Sequence, residues 1–246
     1  MQSIEKKFWK RALKIIPGGN GLLSKRPERF LRDNWPIYFS KAKGIQIWDL
    51  NNKKFLDMSL MGVGTSTLGY ANSFIDDKVK KNINKGTSTT LNCIEELQLA
   101  EKILKYDKFA DQVRFARGGG EAMSFAIRLA RSKHKKTKIA FSGYHGWHDW
   151  YVAANLKNKK NLNNHLLKNL DPLGIPKELK DSAIPFRFNN FEDLLKIVNT
   201  KKLSAIVIEC GRYNYLSKYF VKNINKLCKE KKICLIIDEI TTGWRE

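Results

Sequence analysis

The sequence predicts an α/β fold with a mainly parallel sheet, preceded by a small amino-terminal helix and an antiparallel hairpin. Two strongly apolar segments, 203–209 and 233–239, have the length of buried strands. An amphipathic helical segment at about 217–231 separates them, and an earlier strand at 138–141 follows a helical pattern from Glu121 to about Arg131. Because strands alternate with helices, each connection is a crossover, and crossovers favour parallel pairing.

The amino-terminal part begins with a predicted amphipathic helix at residues 4–16, which Pro17-Gly18-Gly19 ends. The apolar side of this helix is expected to consist of Phe8, Ala12, Ile15 and Ile16. Segments 44–49 and 54–57 alternate in polarity as the two strands of a hairpin do.

The other segments fit the same organisation. Helices are predicted at about 73–84, from about Ile94 to Leu104, and at 191–200, with a short strand at 183–186. Residues 151–182 are polar and interrupted by proline and glycine, so we expect a surface excursion there.

Composition limits the possible functions. The 246 residues can bury a sizeable core, and the formal net charge is +22. The basic residues are spread along the whole chain, which is typical of a solvated surface; the alternative is a nucleic-acid-binding module. No apolar run approaches the roughly 18 residues of a membrane helix, and the amino terminus lacks a signal-peptide core. We therefore expect a cytoplasmic protein that binds neither nucleic acid nor membrane.

Cysteine usage indicates no metal or redox motif. The four cysteines show no CxxC pairing and no metal-ligand spacing. Three of them lie in apolar or helical contexts, which predicts buried, reduced thiols. The cysteines are Cys93, Cys210, Cys228 and Cys234.

The segment 112–149 carries the clearest functional pattern. Val113–Ala116 is apolar enough for a buried strand, Gly118–Gly120 interrupts it, and a helix follows. A strand, a glycine turn and a helix start form an anion site, because unpaired amides and the helix dipole point into the turn. A flexible loop is the alternative. The sequence has neither GxGxxG nor GxxxxGK[ST] at this place.

Chemically active side chains follow three predicted strands. Tyr144 and His145 come directly after 138–141, at the strand end where open α/β sheets bind ligands. Glu209 and Asp238 end the two later strands, where an acid can also be a helix cap. His145 and His148 are three residues apart, but no third metal ligand is evident, so we predict no metal site.

The segments GGGEAMSFAIRLAR, GYHGWHD and LIIDEITTGWRE together resemble the class III pyridoxal-phosphate-dependent aminotransferases. The branch they resemble most is that of glutamate-1-semialdehyde 2,1-aminomutase and its relatives. The resemblance implies the aspartate aminotransferase-like fold of fold type I. It covers essentially the whole chain, which corresponds to a little over half of a family member. Residues 1–60 would form an amino-terminal segment and residues 61–246 an incomplete cofactor-binding large domain.

The resemblance also implies a cofactor site for pyridoxal 5'-phosphate (PLP). Its residues would be Gly119, Gly120, Tyr144, His145, Glu209 and Asp238. Asp238 would pair with the pyridine nitrogen, and Tyr144 would stack on the ring; core packing is the alternative for Tyr144. The family's phosphate-binding threonine is absent, so backbone amides of Gly119 and Gly120 would bind the phosphate. Glu209 would lie near the ring substituents.

Substrate contacts are implied by the segment PGGNGLLSKR, which resembles the family segment that holds the substrate carboxylate. Its spacing differs from that of the family, and Ser24 and Arg26 are the equivalents it implies; a solvated basic loop is the alternative.

The family's Schiff-base lysine lies a few tens of residues after the aspartate. Only Glu239–Glu246 follow Asp238 here, and none of them is lysine. We therefore expect an amino-terminal fragment, from a truncated gene or a partial sequence, that is inactive alone and belongs to a homodimeric full-length enzyme.

The expected reaction is amino-group transfer on a small amino, keto or aldehyde substrate through a pyridoxamine form of the cofactor, which in the aminomutases yields 5-aminolevulinate. The alternatives are a class III aminotransferase acting on another aldehyde or a keto sugar, and a catalytically silent fragment.

Overall fold

The computed structural model describes residues 4–31, 34–59, 61–165, 167–212 and 214–245. The chain divides into two compact units, Met1–Ile94 and Glu95–Glu246. The division between residues 60 and 61 into an amino-terminal segment and a cofactor-binding domain stays a prediction.

The amino-terminal unit contains a three-stranded antiparallel sheet in the order β1-β2-β3. Its strands are β1 (Phe39–Lys43), β2 (Gln46–Asp49) and β3 (Lys54–Leu56), and its helices are α1 (Ile4–Ile15), α2 (Met61–Gly64) and α3 (Ser73–Ile83). The predicted first helix, the hairpin and the helix at about 73–84 are thus confirmed. The strand β1 was not predicted, because its sequence FSKAK is polar and mostly exposed.

The buried face of α1 differs from the predicted one. Trp9 and Ala12 are buried together with Glu5, whereas Phe8, Ile15 and Ile16 are exposed. Polar contacts explain the difference. The Glu5 carboxylate accepts hydrogen bonds from the amides of Ile37 at 3.2 Å and Leu50 at 3.4 Å. The Trp9 indole donates a hydrogen bond to Glu28 at 2.8 Å. These polar contacts therefore determine that the face with Glu5 and Trp9 is the buried one.

The second unit is built on a parallel four-stranded sheet in the order β5-β4-β6-β7. The strands are β4 (Lys138–Ser142), β5 (Ala183–Pro185), β6 (Leu203–Glu209) and β7 (Cys234–Asp238). The helices are α4 (Ile94–Tyr106), which begins at the boundary, α5 (Gly119–His134), α6 (Asp149–Val152), α7 (Phe191–Thr200) and α8 (Lys218–Lys231). The predicted α/β fold with a mainly parallel sheet is confirmed.

Helices cover both faces of this sheet. All seven residues of β6 are buried, and successive side chains point to opposite faces. On one face Phe141 and Val207 pack in the cluster that contains Ile127 of α5. On the other face Ile206 packs in the cluster that contains Phe220 of α8. A sheet covered on both faces accounts for the continuous apolar sequence of the strand.

The predicted strand at Val113–Ala116 is wrong. These residues are irregular and not fully buried, and the Arg114 guanidinium lies 5.2 Å from the ring centre of Phe125. The described sheet consists of β5, β4, β6 and β7, and the segment 113–116 is not one of its strands.

The predicted surface excursion at 151–182 is also wrong in its first part. Tyr151, Ala153 and Leu162 are fully buried. The side chain of Asn155 donates to the carbonyl of Leu170 at 2.7 Å and accepts from the amide of Leu162 at 3.0 Å. Polar side chains here satisfy the backbone of a packed loop.

The thiol environments also differ from the prediction. The four cysteines form no disulfide with one another, but only Cys228 is buried, and burial raises the pKa of its thiol to about 12. Cys93 is exposed, and Cys210 and Cys234 are half-buried. Within the described ranges, every helix is too short or too polar to span a bilayer.

Candidate active site

The loop 143–148, which follows β4, organises the candidate site. Gly143 begins it with a φ of +116°, a conformation that side-chain-bearing residues rarely adopt. A Cβ at Gly143 would lie 2.4 Å from the Cβ of Glu209, so glycine is required for the close approach of β4 and β6. This approach lets the amide of Tyr144 donate to Glu209 Oε2 at 2.9 Å.

His145 joins the loop to the end of β7. Its side chain is fully buried, and Nδ1 lies 2.8 Å from Asp238 Oδ2. An ionised carboxylate only accepts hydrogen bonds, so Nδ1 is the donor. The other ring nitrogen lies 3.2 Å from the carbonyl oxygen of Ser142, and Asp238 Oδ1 accepts from the Ile240 amide at 3.2 Å. His145 therefore supports Asp238, and a direct contact of its ring with a cofactor stays a prediction.

The same loop packs against the first turn of α5. The helix begins at Gly119 with Gly118 as its N-cap, two residues earlier than predicted. Ser124 Oγ lies 2.9 Å from the carbonyl oxygen of Gly120 and 2.8 Å from His148 Nδ1. A Cβ on Gly146 would lie 3.4 Å from the Cα of Gly120. The loop thus lies directly against the helix start.

The start of α5 has the properties of an anion site. The amides of the first helical turn have no partner within the helix, and the helix dipole places partial positive charge there. A Cβ at Gly118 or Gly119 would meet no atom within 4 Å, so the space beside these residues is open.

Both carboxylate oxygens of Glu209 accept hydrogen bonds from other residues of the chain. Its carboxylate is 3% exposed and accepts from Tyr144 through Oε2 and from Arg212 Nε through Oε1 at 2.7 Å. Arg212 Nη2 also contacts Oε1. Arg212 was not identified from the sequence, although an arginine three residues after a buried strand-end acid was the available signal. The role of Glu209 toward a cofactor stays a prediction.

A cleft of about 790 Å³ opens beside Tyr144. Its lining includes Gly143, Tyr144, Lys160, His165, Arg187 and Arg212. Burial raises the pKa of the Tyr144 hydroxyl; the charge of Glu209 also raises it, and the charge of Arg212 lowers it. The Tyr144 ring packs edge-on against Tyr151, whose hydroxyl donates to the carbonyl of Gly143 at 3.1 Å.

His165 is a further site residue that sequence reasoning missed. Its Nδ1 accepts a hydrogen bond from the Gly143 amide at 3.2 Å. Burial lowers the pKa of His165 to about 4, so the ring is neutral at neutral pH. A neutral imidazole that accepts at Nδ1 carries its proton on Nε2, which makes Nε2 a donor.

The structure brings Tyr144, His145, Glu209 and Asp238 together through hydrogen bonds of the loop, which also contacts the start of α5. His145 contacts Asp238, and His148 contacts Ser124. No metal-binding group of three or more histidine, cysteine or acidic side chains occurs in the described part of the chain.

The predicted substrate residues lie in the amino-terminal unit. Ser24 is exposed on a single helical turn, Leu23–Lys25. Arg26 is half-buried, and its Nε is buried without a hydrogen-bond partner among the described residues. Their contact with a substrate stays a prediction.

The site combines an aspartate hydrogen-bonded to His145, an aromatic residue and a glycine-rich helix start, all near the carboxyl ends of parallel strands. This set provides the donors and acceptors that a phosphorylated pyridine needs. The aspartate fits the ring nitrogen, the aromatic ring fits a planar ring, and the free amides fit a phosphate. These features define a protein of the PLP-dependent transferase fold.

The chain belongs to the class-III aminotransferase family, whose model matches residues 31–245. It is 33% identical over 252 residues to the glutamate-1-semialdehyde 2,1-aminomutase of Wigglesworthia glossinidia brevipalpis, a match covering 99% of this chain and 56% of the relative. The chain thus spans about half the length of the curated relatives it matches.

Solved structures show the same fold. A structure described as a transaminase with PLP bound superposes with a TM-score of 0.84 at 23% identity, covering 98% of this chain and 56% of the other. An omega-transaminase from Sphaerobacter thermophilus gives a TM-score of 0.82 at 23% identity with the same coverage.

Proposed function

We propose that this chain forms the PLP-binding part of an enzyme that transfers amino groups, with Asp238 as the partner of the pyridine nitrogen. The observation that carries the proposal is the hydrogen bond of 2.8 Å from buried His145 to Asp238, at the carboxyl end of β7, which pairs in parallel with β6. The hydrogen bond fixes one carboxylate oxygen, and the Ile240 amide contacts the other, so the acid is held in one orientation.

The bound cofactor would supply an electron-withdrawing ring that stabilises the negative charge left when a substrate C–H bond breaks. Asp238 would contribute by electrostatics. A carboxylate beside the ring nitrogen favours the protonated nitrogen, because opposite charges stabilise each other. The side chain is 13% exposed, so solvent screens this interaction only weakly.

Tyr144 and the first turn of α5 would hold the rest of the cofactor. The Tyr144 amide is fixed by Glu209, and its ring is packed against Tyr151, so the aromatic face has one position. Gly119 and Gly120 would present backbone amides to the phosphate, and no side chain fills the space next to Gly119.

The finer proposal concerns the reaction. The relatives named as glutamate-1-semialdehyde 2,1-aminomutase are 27% to 33% identical to this chain. They support an amino-group transfer of the aminomutase type, which forms 5-aminolevulinate. The alternative, another aldehyde or a keto sugar as substrate, is supported by the Gly119-Gly120 turn and by the unusual spacing before Ser24.

The proposal can be tested with pyridoxamine phosphate, which has no aldehyde and therefore does not react with surface lysines. Calorimetric titration should give a dissociation constant that rises about tenfold to a hundredfold in Asp238→Asn, the range expected for one charged hydrogen bond. Asparagine can still accept the bond from His145, so folding should persist.

The matched control is Glu239→Gln, which removes the neighbouring, exposed carboxylate. This variant should bind pyridoxamine phosphate as the parent does. Equal affinity of the parent and Asp238→Asn would show that Asp238 does not contact the ring nitrogen.

A further inference from the structure

The imidazole of His148 occupies the space that a side chain of residue 120 would fill. A Cβ on Gly120 would lie 2.6 Å from His148 Nε2 and 2.8 Å from His148 Cδ2, closer than Cβ atoms approach other heavy atoms. Gly120 lies in the first turn of α5, where Cα–Cβ bonds tilt toward the start of the helix. This geometry places Nε2 beside the helix start, where the proposed function puts the cofactor phosphate.

A hydrogen bond to Ser124 holds the ring in this position. Ser124 Oγ lies 2.9 Å from the carbonyl oxygen of Gly120, which only accepts, so the hydroxyl proton is donated there. Ser124 Oγ therefore accepts from His148 Nδ1, which lies 2.8 Å away and must carry a proton. With Nδ1 protonated, Nε2 becomes a donor when the ring is an imidazolium. Within the described part of the chain, Nε2 has no hydrogen-bond partner, so it is available to a ligand.

The acidic residues near the helix start are compatible with a bound anion. Glu121, the acid of the first turn, accepts a hydrogen bond from the Arg117 amide at 2.8 Å. The Arg117 guanidinium lies 3.9 Å from the same carboxylate, so a positive charge accompanies it. Asp149, adjacent to His148, is exposed, and solvent screens its charge. A phosphate dianion in turn stabilises an imidazolium, because opposite charges attract.

We propose that His148 binds the cofactor phosphate through Nε2 as an imidazolium, in place of the threonine hydroxyl that the family resemblance implies at position 120. The inference rests on the proposed PLP site, because it assigns a further ligand to the same phosphate. Glycine at position 120 and histidine at position 148 form one complementary pair, since a Cβ at residue 120 and the imidazole exclude each other. Ser124 positions the ring.

The test exchanges the imidazole for a side chain at position 120 and measures the binding of pyridoxamine phosphate by calorimetry. His148→Ala should raise the dissociation constant about tenfold to a hundredfold, the range expected for one hydrogen bond between charged groups. The same change opens the space that a side chain at residue 120 needs. In the His148→Ala background, Gly120→Thr should bind about threefold to tenfold more tightly than Gly120→Val, which has the same shape but lacks the hydroxyl.

His134→Ala is the matched control, because it removes the histidine at the other end of α5, about 20 Å from the helix start. This variant should bind pyridoxamine phosphate as the parent does. Circular dichroism checks the fold of each variant. The threonine and valine variants both fill the space of the imidazole, so their comparison tests the proposal even if His148→Ala is poorly folded.

The outcomes separate this inference from the proposed function. Equal affinity of the parent and folded His148→Ala, or of the threonine and valine variants, would overturn the role of His148 and leave the PLP site intact. The ring would then only pack against the helix. Failure of the parent to bind pyridoxamine phosphate would refute the PLP site and, with it, this inference.

Discussion

Replacing His145 with phenylalanine should isolate the hydrogen bond that holds Asp238. The imidazole lies among aromatic rings, with centroid distances of 6.1 Å to Trp150, 6.2 Å to Phe141 and 6.0 Å to Tyr151. Phenylalanine keeps a ring in this packed position and removes both ring nitrogens. The variant therefore loses polar contacts and retains most of the apolar ones.

The expected loss follows from the burial of the pair. A hydrogen bond to a charged group contributes roughly 1.5–3 kcal/mol. Exposed ion pairs contribute much less because water screens them, but the side chains of His145 and Asp238 are 0% and 13% exposed. The coupling between the two residues should therefore be about 1.5–3 kcal/mol.

A double-mutant cycle with Asp238→Ala measures this coupling. The free energy of unfolding is obtained from urea titrations followed by circular dichroism for the parent, both single variants and the double variant. His145→Phe should cost far less in the Asp238→Ala background than in the parent. Additive effects, with a coupling below about 0.5 kcal/mol, would refute the view that His145 holds Asp238.

Three further predictions concern the same unit. Gly119→Val should lower the affinity for pyridoxamine phosphate at least about tenfold. Thermal stability should change little, because a Cβ at Gly119 meets no atom within 4 Å and valine has a slightly higher helix propensity than glycine. Unchanged affinity would show that the turn is only a loop. The free energy of unfolding should fall by up to about 3 kcal/mol as the pH drops from 6.5 toward 4, because His165 binds a proton in the unfolded chain whereas burial lowers its pKa to about 4 in the folded chain. Urea titrations of His165→Gln should show a weaker pH dependence than those of the parent. An identical pH dependence would contradict the neutral, buried state of His165. Borohydride reduction of the chain mixed with PLP should give no single stoichiometric lysine adduct by mass spectrometry and no transamination, and finding both would show that the cofactor-bearing lysine lies within residues 1–246.

Elements with a clear apolar pattern, either a continuous apolar segment or a helical repeat, could be predicted from the sequence. The strands β4, β6 and β7 are short apolar segments between helices, and helices cover both faces of their sheet. The strand β1 could not be predicted, since its side chains are mostly solvent-exposed and its sequence carries no apolar pattern. The burial of Asn155 was missed for a related reason, because polar residues that satisfy a packed loop look like residues that face water.

The positions of site residues were easier to predict than their contacts. Tyr144 comes shortly after a parallel strand, and Glu209 and Asp238 are the last residues of two others; such strand ends meet at one edge of a sheet. The contact between His145 and Asp238 joins residues 93 positions apart and depends on side-chain geometry that no local pattern encodes. The pairing of Arg212 with Glu209 was missed because a single arginine in a basic chain is not distinctive.

The central claim is that the loop 143–148, Asp238 and the start of α5 form one cofactor site. A crystal structure of the chain with pyridoxamine phosphate tests it most directly. We expect the pyridine nitrogen within hydrogen-bond distance of Asp238, about 2.7–3.2 Å, the ring against Tyr144, and the phosphate at the amides of Gly119 and Gly120. Pyridoxamine phosphate bound with its ring nitrogen away from Asp238, or with its phosphate away from α5, would contradict the account.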